Sequence, residues 1–85
     1  MKVDVLSKEE THRIRHFVLD IQIEEAGQIS RIKVDIIAEH NLRNNEYHYE
    51  IESFSWISNT KAVNANDLEE RLENYLMDNI EDILS

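Results

Sequence analysis

The chain has no cysteine, no proline and a single glycine, Gly27, in 85 residues. Without cysteine there is no disulfide framework, no thiolate zinc site and no thiol nucleophile. Small secreted domains usually rely on disulfide bridges, so the composition predicts a cytoplasmic protein. One glycine cannot build a phosphate-cradling loop or a dinucleotide fingerprint, which sets nucleotide chemistry aside. The serines, Ser7, Ser30, Ser53, Ser55, Ser58 and Ser85, sit in no nucleophile elbow or oxyanion turn, so nothing points to a catalytic triad.

Long apolar runs are also missing. No window approaches the roughly 18 apolar residues of a membrane span, and Met1–Leu6 lacks the apolar stretch of a signal peptide. Positive charge is scarce: 9 Lys and Arg stand against 18 Asp and Glu, a net charge of −9. Phosphate backbones and anionic headgroups are bound largely through Lys and Arg, so neither direct nucleic-acid binding nor membrane binding is expected.

What is present is patterned. At 41% hydrophobic and 32% charged, the chain can fold, and its length allows one domain spanning residues 1–85 with a thin core. Phe17, Leu19, Ile21 and Ile23 alternate with polar residues, a first strand over about Arg13 to Glu24. Ile32, Val34, Ile36 and Ala38 alternate likewise and form a second. Two turns separate the segments, one at Gly27 and one over Asn41 to Glu46, with Asn44 and Asn45 as the natural left-handed pair.

In the third strand Tyr47, Tyr49 and Ile51 share one parity while Phe54 and Trp56 take the other. A one-residue slip reverses the faces, so the pattern predicts either a bulge at Glu52-Ser53 or a strand covered on both faces. Because Tyr47, Tyr49, Phe54 and Trp56 fall on both parities, they cannot all enter a core one layer thick. Some of Tyr47, Tyr49 and Trp56 are then expected to face outward as a partner-binding patch.

The period then changes. Leu68, Leu72, Tyr75, Leu76, Ile80, Ile83 and Leu84 recur at spacings of three and four, the stripe of one amphipathic helix, with Asn64, Asn66 or Asp67 as its cap. Asp78, Glu81 and Asp82 crowd the negative pole of that helix, which predicts fraying after Asn79 or a basic partner over that end. The start of the chain reads two ways. Ser7-Lys8-Glu9-Glu10 matches a capping box and offers a short N-terminal helix ending near Arg15 as the alternative to an early start of the first strand.

The predicted fold is therefore α+β: a three-stranded antiparallel β-meander with a C-terminal amphipathic helix packed on one face. Two free sheet edges and a thin core make a homodimer a reasonable expectation. Of the four histidines, His12 and His16 are spaced to approach one metal, and His40 and His48 flank the second turn. Two such ligands do not close a site, so the histidines read as solvated groups, and no metal or other cofactor is expected. Glu50 and Glu52 read as a solvent-facing pair.

Charge carries the functional reading. From Ala62 to Ser85 there are seven acids, Asp67, Glu69, Glu70, Glu73, Asp78, Glu81 and Asp82, against one base, Arg71. The expectation is a small acidic protein-binding module without catalytic activity. In its sharpest form it is an inhibitor, immunity or antitoxin-like protein that covers a basic surface through Glu69, Glu70, Glu73, Asp78 and Asp82, joined by Tyr47, Tyr49 and Trp56. The alternative from another class is a self-assembling structural subunit. A histidine-based metal-dependent enzyme stands last.

Overall fold

The structure, a computed structural model, describes residues 1–25, 27–58 and 65–85. Three strands come first in the chain, β1 (His12–Glu25), β2 (Gln28–Asn41) and β3 (Glu46–Ser58), and two short helices follow, α1 (Ala65–Asp78) and α2 (Ile80–Leu84). The strands form one antiparallel sheet in the order β1-β2-β3, and the sheet is open. The radius of gyration, 18.5 Å, exceeds the roughly 12 Å of a compact chain this long. Strand length explains much of that, since fourteen residues at a strand's rise extend about 46 Å.

The turns follow from their residues. Glu25 pairs directly with Gln28, and Gly27 lies between them at φ +75°, a conformation that a side chain would strain. At the second turn Asn41 pairs with Glu46, and Asn45 alone takes the left-handed backbone, at φ +58°. Asn44 instead accepts the Glu46 N–H at 3.0 Å through Oδ1, as Asn41 accepts that of Arg43. Such side-chain bonds favour Asn at turns.

The predicted N-terminal helix is absent: residues 1–11 precede the first strand and carry no helix. The two-residue alternation wins because β1 finds a partner for each residue from His12 onward, and an isolated short helix is marginal. The capping-box acids serve elsewhere. Glu10 pairs with Arg13 at 2.6 Å and Glu9 with Arg43 at 3.2 Å.

A bulge resolves the phase change in β3. Asp35 lies opposite Ser53 and Ile36 opposite Ile51, which leaves Glu52 as the extra residue. A second shift leaves Ile57 unpaired between Trp56, opposite Ile32, and Ser58, opposite Arg31. Because Glu52 absorbs the slip, Tyr47, Tyr49, Ile51, Phe54 and Trp56 all take the face of Ile32, Val34, Ile36 and Ala38. The expectation that some aromatics face outward from the other side of the sheet is corrected. On β1 that face carries Arg13, Arg15, Phe17, Leu19, Ile21 and Ile23.

Buried side chains of β2, Ile32, Val34 and Ile36, cluster with Leu72 and Leu76 of α1 and Ile80 of α2. Each such side chain contributes about 1.5–3 kcal/mol by leaving water. Phe17, Leu19, Ile21, Ile23, Tyr49, Ile51, Phe54 and Trp56 border the cluster half-buried. Tyr75, expected within the apolar stripe, is 61% exposed.

The single predicted helix is two. Asn79 interrupts it at φ −119°: its N–H reaches the carbonyls of both Tyr75 and Leu76 at 3.2 Å, and its Nδ2 donates to the Tyr75 carbonyl at 2.8 Å. An Asn side chain competes in this way with the helical ladder. The helix resumes at Ile80. Of the expected caps, Asn64 lies outside the described residues, whereas Asn66 and Asp67 belong to α1 itself. Among the described residues no helix is long and apolar enough to cross a membrane.

Candidate protein-binding surfaces

The acids of the C-terminal segment divide into two groups. Glu69 turns toward β3, where its Oε1 accepts a 2.6 Å hydrogen bond from the Trp56 indole Nε1. Both residues are half-buried, and each commits a polar atom to that bond. Glu70, Glu73, Asp78 and Asp82 are exposed, and none of the described ion pairs involves them. Met77, 41% exposed, lies on the same outward side of α1. Helical geometry at 100° per residue sets Glu73, Met77 and Glu70 side by side, an arrangement that the spacing of the apolar stripe does not reveal.

Arg71, the only base of that segment, is fully engaged. Its Nη1 and Nη2 donate to the two carboxylate oxygens of Glu25 at 2.6 and 2.9 Å, and its Nε donates to Asp67 at 3.0 Å. The Arg71 hydrogen bonds hold the Glu25 carboxyl below its ordinary range, and Glu25 raises Arg71 in turn. Beside this clamp a groove of about 370 Å³ runs between β1 and α1, lined by Ile21, Ile23, Leu68, Leu72 and Tyr75.

The aromatic residues end as a row past the core. His40 stacks on Tyr47 at 4.1 Å between ring centroids, and Tyr47 on Tyr49 at 6.2 Å, both within 8° of parallel. Tyr47 is exposed and Tyr49 half-buried. Arg15 lies 5.5 Å over the Phe17 ring and joins Tyr47, Tyr49, Glu81 and Leu84 around a cavity of about 290 Å³. Burial pushes the Tyr49 phenol above its ordinary value; Glu81 and Tyr47 add to the shift and Arg15 opposes it. Tyr47 thus stacks with a ring on each side in the row, an arrangement aromatic pairs favour.

Comparison with protein-family models, with curated proteins and with solved structures finds no match to this chain.

The histidines separate. His12, His16 and His48 share the face opposite the core, whereas His40 lies on the core face. His12 Nε2 is 3.6 Å from Glu39 Oε1, and His40 Nε2 is 2.6 Å from Asn45 Oδ1. Among the described residues no group of three or more His, Asp or Glu side chains could hold a metal ion. Glu50 stays in the ladder opposite Ile37 while Glu52 leaves it as the bulge, so they are not an in-register pair.

Proposed function

We propose that this chain is a small cytoplasmic protein-binding module without catalytic activity, one that offers an acidic helix face to a basic protein surface, as an inhibitor, immunity or antitoxin-like protein does. On this reading the C-terminal segment is an amphipathic layer over the sheet. Leu68, Leu72, Leu76 and Ile80 anchor it, and Glu70, Glu73, Asp78 and Asp82 point away. The observation that carries the reading is that these four carboxylates are exposed and enter no described ion pair, while Arg71 is held by Glu25 and Asp67. Uncompensated charge of one sign steers a partner of the other sign and speeds its encounter.

Glu69, Trp56 and Tyr49 act in this proposal as supports of the fold, and Tyr47 as a contact at the rim. The test is a capture experiment eluted in steps of rising salt. The bait is the full chain or its variant carrying Glu70→Gln, Glu73→Gln, Asp78→Asn and Asp82→Asn. A basic protein held by the wild type, released at intermediate salt and lost with the variant supports the reading. Equal retention by both ends it.

A further inference from the structure

We propose that the outer edge of β1 is a self-association surface, on which a second copy of this chain pairs antiparallel through its own β1 about a two-fold axis at Val18. Two three-stranded sheets would thereby become one six-stranded sheet. The inference rests on β1 alone and is independent of the acidic helix face.

The two edges of the open sheet differ. β1 keeps one uninterrupted register with β2 over all fourteen residues, His12 opposite Asn41 through Glu25 opposite Gln28. An antiparallel ladder uses the backbone groups of alternate residues, so the other half of the β1 N–H and C=O groups face outward. Among the described residues β2 is the only strand beside it. β3 is broken twice, at Glu52 and at Ile57. Bulges and charges of one sign are the devices that keep an edge from pairing, and β3 adds Glu46, Glu50 and Glu52 to its bulges.

Charge names the occupant. The first five residues of β1 hold His12, Arg13, Arg15 and His16, and its last six hold Asp20, Glu24 and Glu25 with no base. A strand basic at one end and acidic at the other is complementary to itself when antiparallel. With the axis at Val18, His16 meets Asp20 of the partner subunit and His12 meets Glu24 of the partner subunit, each contact made twice. Arg13 falls opposite Ile23 of the partner subunit and Arg15 opposite Ile21 of the partner subunit, and Asp20 also holds Arg31 of its own chain at 2.6 Å. Phe17 meets Leu19 of the partner subunit on the core face, which continues the half-buried row. Val18, 63% exposed in the single chain, is covered by the partner subunit's Val18.

Sedimentation of the full chain across a concentration series tests the proposal together with two variants. The wild type should reach twice 10.1 kDa. Val18→Lys sets two like charges opposite each other at an exposed position and should weaken the dimer about tenfold or more while leaving the circular dichroism spectrum unchanged. Val18→Cys is informative even if the lysine variant misfolds. The chain has no cysteine of its own, and directly opposed Cα atoms about 5.5 Å apart suit a disulfide, so mild oxidation should give a covalent dimer. Ser55→Cys on β3 should not crosslink. A wild type monomeric at every concentration, or crosslinking at position 55 but not 18, overturns the proposal. Because Glu70→Gln and Glu73→Gln should leave the dimer intact, the two proposed surfaces can fail separately.

Discussion

Trp56 Nε1 and Glu69 Oε1 meet at 2.6 Å, so the bulged edge strand β3 and helix α1 are joined by a hydrogen bond to a charged acceptor in a half-buried setting. Hydrogen bonds to charged groups contribute more than neutral ones. Glu69→Ala should cost about 1 to 2 kcal/mol and Glu69→Gln less, since the amide oxygen still accepts. Urea unfolding followed through Trp56, the only tryptophan, reads both. Two variants as stable as the wild type would show that the bond adds nothing.

Glu52 is the residue that lets β3 keep one apolar face, and its removal makes an unusual prediction. Deleting it leaves Ile51 opposite Ile36, Ser53 opposite Asp35 and Phe54 opposite Val34, a regular ladder with the same faces. The deletion variant should therefore fold with a stability within about 1 kcal/mol of the wild type. Inserting one alanine between Phe54 and Ser55 should instead throw Trp56 to the other face and unfold the chain. Comparable loss in both variants, read by circular dichroism and melting, would contradict the bulge.

The strands were legible because alternation at two residues is strong over Phe17–Ile23, where it outweighs a competing helical spacing, and over Ile32–Ala38, and because each turn carried Gly27 or Asn45 where a left-handed backbone was needed. Less could be read wherever one pattern served two structures. The parity change between Ile51 and Phe54 fits a bulge as well as a two-faced strand, and only the register against β2 decides between them. The spacing of Ile80, Ile83 and Leu84 continues that of α1, which hides the break at Asn79. Of the acids grouped by charge alone, Glu69 proved to belong to the indole of Trp56, a pairing across thirteen residues that spacing does not encode.

Leu76 and Tyr75 are neighbours in sequence with opposite surroundings. Leu76 is 2% exposed within the core cluster, and Tyr75 is 61% exposed beside the groove along β1. Leu76→Ala should cost about 2 to 5 kcal/mol, enough to unfold a domain with so thin a core, because transfer and cavity terms add. Tyr75→Ala should cost under about 1 kcal/mol, as exposed substitutions do. Thermal melts of the two variants check the order, and a reversal would mean that α1 turns another side to the sheet.

The Glu25–Arg71 clamp ties the end of β1 to α1 and should mark the pH dependence of stability. Its hydrogen bonds hold the Glu25 carboxyl below the ordinary value of 4.5, so the folded state favours the ionised form more than the unfolded chain does. A depressed carboxyl stabilises the fold fully above its unfolded value, and that contribution fades as the pH falls through the lower folded value. Arg71→Gln removes one partner each from Glu25 and Asp67. The variant should melt below the wild type at neutral pH, and the gap should narrow from about pH 4.5 downward as the wild type loses what the variant already lacks. Melting temperatures of both proteins over that range decide the matter: a gap constant into acid would show that Arg71 acts through packing of its stem rather than through the carboxylates.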